Sequence, residues 1–342
     1  CSTMPEQYYY EREKYGNGYR KTYQEGLNHL LKSLRGGAQK KRDSFMREVQ
    51  AQPEHFREIV RQTLGWPLTE ERRVPAQSEM HFVAKDALAA IYRVQLEIQP
   101  DVWMYGILFL KDKTKKRALV ISQHGGLGTP EMCSGFFDSE NYNDMTRRIL
   151  QKDVNVFCPQ LFLWDQKRFG MLPSDRLAFD NSLKHMGSSV AAVELDGLMK
   201  YIDWLSDLDW VDGERIGMIG LSYGGFYTLY LAALDVRIKA AVSSCYFNDK
   251  THYNFNDWSW FNSANMFEDA EIATLVFPRK LWIQVADNDE LFQVSSAEKE
   301  FMRLKSFNEK ADKSLHLEVF PGVHEFSRSN AGIDFVIDEL TR

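Results

Sequence analysis

The stretch Gly220-Leu221-Ser222-Tyr223-Gly224-Gly225 lies between an apolar, strand-like run at 215–221 and a helical run that begins near Gly225. A strand that reverses into a helix this abruptly leaves almost no room for side chains two positions before and two after the residue at the tip. Glycine at 220 and 224 meets that demand, because it carries no Cβ. The turn would lift the Ser222 hydroxyl above the carboxyl edge of a sheet, with the N–H groups of the following helix behind it. A glycine-bracketed serine also occurs as a plain packing turn, so its meaning depends on its surroundings.

Those surroundings alternate. Residues 118–122, 154–158, 216–221, 240–245, 281–285 and 315–320 read as short strands, and 142–151, 189–205, 225–234, 297–307 and 333–340 as helices. Apolar strands separated by helices imply a mostly parallel central sheet with helices on both faces. Earlier runs at 80–83, 91–98 and 103–110 are rich in β-branched and aromatic residues and read as further strands. The expected fold class is α/β.

Residues 1–65 stand apart as an N-terminal helical arm, and 66–342 form the main domain. In the arm, polar sequence carries Phe45, Val49, Phe56, Ile59 and Val60 at helical spacing. Two or three amphipathic helices are expected, interrupted at Gly36-Gly37 and ended by Gly65-Trp66-Pro67, because the residue before proline leaves the helical region. Lys plus Arg number 42 against 48 Asp plus Glu, a net charge of −6 that argues against nucleic acid as a partner. No apolar run approaches the roughly 20 residues of a membrane span. Cys1, Cys133, Cys158 and Cys245 show neither paired nor metal-ligand spacing, so neither a metal nor another cofactor is expected. A chain opening on Cys1 fits a trimmed start or the acylated cysteine of a processed lipoprotein; a cytoplasmic address is favoured, with a secreted or Cys1-anchored form as the alternative. Oligomeric state is not legible.

A serine hydroxyl needs a base, and the base needs a carboxylate to fix its tautomer. Downstream of Ser222 lie His252, His316 and His324. His316 falls within the alternating run Leu315, Leu317, Val319 and reads as an ordinary strand residue. His324 sits in Phe320-Pro321-Gly322-Val323-His324-Glu325-Phe326, a turn-rich loop after the last strand, and is preferred. For the acid, the strand 281–285 runs into Ala286-Asp287-Asn288-Asp289-Glu290; Asp289 is favoured, with Asp287 nearer the strand as the alternative. Gln123-His124-Gly125-Gly126-Leu127-Gly128 follows the strand 118–122 and supplies a loop for an oxyanion. One donor would be the N–H of Tyr223 and the other that of Gly126 or Leu127.

Together these residues resemble the α/β-hydrolase superfamily, and within it the acetyl xylan esterase-like and dienelactone hydrolase-like esterases. The resemblance runs from about Gly65 to the C-terminus and is most specific over 189–245. There Glu194 and Asp196 lead through Asp209-Trp210-Val211-Asp212 and Arg215-Ile216-Gly217 to the serine turn, and on to Ala232-Ala233-Leu234-Asp235-Val236-Arg237-Ile238. It implies an α/β-hydrolase fold with Ser222 as nucleophile, Asp289 as acid and His324 as base. One position departs: Ala286 stands where those esterases usually have glycine. The Gly-x-Ser-Tyr-Gly-Gly turn is also similar to that of the prolyl oligopeptidase peptidases, but the chain ahead of it is too short and too helical for their β-propeller. A catalytically inactive binding module on the same fold is a third reading, disfavoured because every part of the site can be found.

Two segments are expected to shape a pocket for a small-molecule or carbohydrate ester. One is Phe162-Leu163-Trp164, with Asp165, Lys167 and Arg168 beside it. The other is a cap-like insertion at 248–278 carrying Tyr253, Phe255, Trp258, Trp260 and Phe261. Trp164, Trp258 and Trp260 are the candidate substrate-binding rings, although such rings also serve simply to pack a lid.

Overall fold

The computed structural model describes residues 7–67, 77–164 and 170–342, and only the backbone of His252. Cys1, Asp165, Lys167 and Arg168 lie outside the described residues.

Among the described residues nine strands form one sheet: β1 (Ser78–Lys85), β2 (Ala90–Gln99), β3 (Val102–Leu110), β4 (Arg117–Gln123), β5 (Asn155–Pro159), β6 (Val211–Leu221), β7 (Ile238–Ser244), β8 (Lys280–Ala286) and β9 (Leu315–Phe320). Their spatial order is β1-β2-β3-β5-β4-β6-β7-β8-β9. Short loops join β1 to β2 and β2 to β3, so these pairs run antiparallel, as does β3 with β5. From β5 to β9 every pairing is parallel, because each connection there crosses over through helical chain.

The helices are α1 (Asn17–Ala51), α2 (Pro53–Leu64), α3 (Pro130–Cys133), α4 (Met145–Leu150), α5 (Arg176–His185), α6 (Val190–Ser206), α7 (Tyr223–Leu234), α8 (Asp269–Val276), α9 (Val294–Phe307) and α10 (Ala331–Leu340). The strand pleat divides the core. Leu119 and Ile121 of β4 face a cluster shared with α6, α7, α8 and α9, whereas Ala118 and Val120 face one shared with α3, α4 and α10. Among the described residues no helix is long and apolar enough to cross a membrane.

The expected break at Gly36-Gly37 does not occur. α1 runs through both glycines, whose missing Cβ atoms would meet nothing within 4 Å. Glycine costs a helix about 1 kcal/mol relative to alanine but does not stop it, and the C-terminal half of α1 is held by buried Ala38, Arg42, Met46 and Val49. The helix ends where Gln52 precedes Pro53, and α2 closes on Gly65 in a left-handed conformation at φ 80°. The helix expected at 142–151 shortens to α4, because Asn143 and Asp144 adopt φ 51° and 56°.

Helix α8 lies between β7 and β8 and carries part of a buried acidic cluster. Lys250 pairs with Asp269 at 2.6 Å, and Arg303 reaches both Glu271 and Glu300. Burial, aided by Glu271, pushes the Glu300 carboxyl up to about 8 from its ordinary 4.5. Below the lower value the group is protonated folded or unfolded. Between the two the folded chain keeps a proton that the unfolded chain releases, so stability falls as pH rises through this window. Glu300→Gln removes that term. Its melting temperature should drop less between pH 5 and pH 8 than that of wild type, and parallel melting curves would refute the linkage.

Candidate active site

Ser222 occupies the tip between β6 and α7 at φ 62°, ψ −114°, a conformation few side-chain-bearing residues adopt. The turn is held from both sides. Ser222 N–H donates to the Ser244 carbonyl at 2.8 Å, and Phe226 N–H donates to the Ser222 carbonyl at 2.9 Å. The glycines are forced by contact: a Cβ on Gly220 would stand 2.2 Å from the Gly224 carbonyl oxygen, and one on Gly224 would stand 2.1 Å from that of Gln123.

The structure brings Asp289 and His324 together. His324 Nδ1 lies 2.8 Å from Asp289 Oδ2, with the carboxylate 1% and the imidazole 20% exposed. The other Asp289 oxygen, Oδ1, accepts the N–H groups of Leu291 and Phe292 at 2.9 and 3.1 Å. An imidazole whose Nδ1–H is fixed on a carboxylate keeps Nε2 as an acceptor, the state that can take a proton from a hydroxyl. Ser222 and His324 line the same cavity, but no hydrogen bond joins them in this conformation. Asp287 points elsewhere: its exposed carboxylate accepts the Gly322 N–H at 3.0 Å and ties the acid loop to the histidine loop. His316 stacks on Trp282 within the sheet.

The glycine loop after β4 is braced from beneath. Leu161 N–H donates to His124 Nε2 at 3.0 Å, so the proton of this buried ring resides on Nδ1, 2.9 Å from the Gly125 carbonyl. Burial drives His124 down to about 4, which keeps it neutral. Gly125 N–H in turn donates to the Tyr142 hydroxyl at 2.7 Å. Gly126, Leu127 and Tyr223 then border the cavity beside Ser222.

A glucuronoyl esterase from Solibacter usitatus superposes with a TM-score of 0.63 at 14% identity, over 82% of this chain and 91% of that one. Acetyl xylan esterase 1 from Thermoanaerobacterium sp. JW/SL YS485 gives 0.59 at 14% identity, over 84% and 94%. The chain has the α/β-hydrolase fold. Residues 187–309 match the family model described as X-Pro dipeptidyl-peptidase (S15 family), a stretch that includes Ser222 and Asp289 and stops before His324. An Escherichia coli relative, an uncharacterized 31.7 kDa protein in the traX-finO intergenic region, is 32% identical over 81 residues. That match covers 24% of this chain and 28% of the relative.

Within this fold the cavity over Ser222 measures about 740 Å³. Trp164 and Trp258 are in its wall, in ring contact with Tyr223 at 5.3 and 5.2 Å. Trp260 is not. It lines a second cavity against α1, which Trp258 also borders, and lies beneath the Lys184 ammonium. Sequence reasoning missed Phe292, Tyr142 and Glu140, all of which line the cavity. Phe292 directly follows the acid loop and packs on the His324 ring at 5.8 Å; only its place three residues after Asp289 could have flagged it. Among the described residues one trio could ligate a metal: Cys245, Asp289 and His324, whose ligand atoms lie within 4.8 Å of one another. Burial pushes the Cys245 thiol up to about 12, which disfavours the thiolate a metal would need, and the other two groups are bonded to each other.

Proposed function

We propose that the protein is a serine hydrolase that cleaves carboxylic esters through an acyl-enzyme, with acyl groups on carbohydrate as the substrate class. Ser222 Oγ attacks the ester carbonyl carbon while His324 Nε2 takes its proton. Asp289 holds the imidazole by Nδ1 and stabilises the imidazolium that forms. The N–H of Tyr223 and that of Gly126 or Leu127 receive the developing oxyanion. Collapse of the tetrahedral intermediate breaks the bond to the alcohol, which leaves with the proton from His324. Water, deprotonated by the same imidazole, then releases the acid. The observation that carries this reading is the 2.8 Å Asp289–His324 bond beside the cavity that holds Ser222 at its strained tip.

The walls support an uncharged ester. Among the described lining residues there is no Lys or Arg, and the rings of Trp164 and Trp258 suit an acyl group or a sugar face. The esterases with the same fold, glucuronoyl esterase and acetyl xylan esterase, act on carbohydrate esters as their names state. The dipeptidyl-peptidase family match favours a second reading, cleavage of a peptide bond. Glu140 in the cavity lining supplies a carboxylate of the kind that anchors a peptide amino terminus. Acetylated saccharides, short acyl nitrophenyl esters and aminoacyl-prolyl amides, assayed with wild type and Ser222→Ala, separate the two. Faster Ser222-dependent cleavage of an ester is expected; amides cleaved faster than every ester would install the peptidase reading instead.

A further inference from the structure

Arg176, the first residue of α5, is 1% exposed and is the largest fully buried side chain among the described residues. Each of its three guanidinium nitrogens has a partner. Nε lies 3.0 Å from both Asp257 oxygens, Nη1 donates to Glu194 Oε1 at 2.7 Å and to the Phe162 carbonyl at 2.9 Å, and Nη2 donates to the Tyr227 hydroxyl at 2.8 Å. The two carboxylates are also engaged elsewhere. Asp257 accepts the Tyr223 hydroxyl at 2.5 Å, and Glu194 accepts the Tyr227 hydroxyl at 2.6 Å and the Phe162 N–H at 2.8 Å. The backbone of the same residue adds a further tie, Arg176 N–H to the Leu163 carbonyl at 3.2 Å.

The three segments joined in this way carry Trp164, Trp258 and Tyr223, one side of the cavity's aromatic wall, to which Tyr142 and Phe292 add from other segments. Phe162 lies two residues before Trp164, Asp257 immediately precedes Trp258, and Tyr223 directly follows the nucleophile. We infer that Arg176 is a positioning residue that sets the acyl-binding wall, fixing Trp164, Trp258 and the Tyr223 ring against one another so that large acyl groups are held. The inference rests on the esterase reading for its kinetic test, and it assigns Arg176 no contact with substrate. Only a planar group with several fixed donors can serve Asp257, Glu194, Tyr227 and the Phe162 carbonyl at once. A lysine ammonium, with one nitrogen, must abandon at least one wall segment while keeping the charge.

The test compares wild type, Arg176→Lys and Asp257→Asn on nitrophenyl acetate and nitrophenyl octanoate, together with acrylamide quenching of tryptophan fluorescence. Asp257→Asn keeps the side-chain shape and provides the readout should Arg176→Lys fail to fold. The expected result is a KM for the octanoate raised about tenfold, with kcat on the acetate lowered less than about threefold, the pattern of lost ground-state binding. Quenching should increase, and this increase should vanish in a Trp164→Phe/Trp258→Phe background. Both esters affected in equal proportion, with quenching unchanged, would overturn the inference and leave Arg176 a purely structural ion. If wild type cleaves neither ester, the esterase reading fails by itself, and quenching alone still decides whether Arg176 orders the wall.

Discussion

Ser222→Ala should leave the protein folded and lower ester turnover by about a millionfold, the scale on which a serine triad loses activity when its nucleophile is removed. The substitution deletes one oxygen from a residue whose side chain makes no capping hydrogen bond to α7. The turn is held instead by backbone bonds to Ser244 and Phe226 and by the close approach of Gly220 and Gly224. Alanine has the same Cβ as serine, so the cost of φ 62° is already present in the wild type and does not grow. The melting temperature should therefore stay within about 2 °C, since surface-accessible changes that break no bond are worth about 0.5 kcal/mol or less. Turnover of an activated acetyl ester and a melting curve on the same sample provide the check. A folded variant that keeps more than about a tenth of wild-type activity would remove Ser222 from the mechanism.

What the sequence made legible were features with a steric or solvent-driven cause that acts locally. The glycines at 220 and 224 are dictated by backbone contacts, so the serine turn could be located from residue type alone. The strands β4 to β8 are largely apolar and buried and could be read as runs, and the alternating stretch 315–320 agrees with β9 to the residue. The histidine and acid loops follow strand ends, and chain order brought them to notice. The features that stayed hidden depend on partners distant in the chain. α8 carries Asp269 and Glu271, which look like surface charges until Lys250 and Arg303 are seen to bury with them. Arg176 likewise reads as a solvated helix residue, and only the approach of Glu194 and Asp257 from other segments makes it an internal ion. Trp258 and Trp260 are indistinguishable as letters, yet Trp258 borders the cavity over Ser222 as well as the one against α1, whereas Trp260 borders only the latter.

Asp289→Asn should reduce turnover by about 10⁴ while Asp287→Asn costs less than about tenfold, and the contrast follows from what each carboxylate holds. In Asp289→Asn the amide oxygen can still accept the Leu291 and Phe292 N–H groups now received by Oδ1, so the loop keeps its shape. The amide nitrogen then faces His324 Nδ1, 2.8 Å from where Oδ2 stood. An –NH2 group is a donor, so the imidazole must turn its Nδ1 lone pair toward it and carry its proton on Nε2. A ring protonated at Nε2 has no acceptor left for the Ser222 hydroxyl, and no carboxylate charge remains to stabilise an imidazolium. Asp287 faces a different partner. It receives the Gly322 N–H at an exposed position, and asparagine can accept that bond with its own oxygen. The two variants therefore share a chemical change and differ in whether a tautomer depends on it. Turnover measured from pH 6 to pH 9 checks the ranking. A larger loss for Asp287→Asn than for Asp289→Asn would transfer the role of orienting carboxylate to Asp287 and require the histidine loop to move by several ångströms during the reaction.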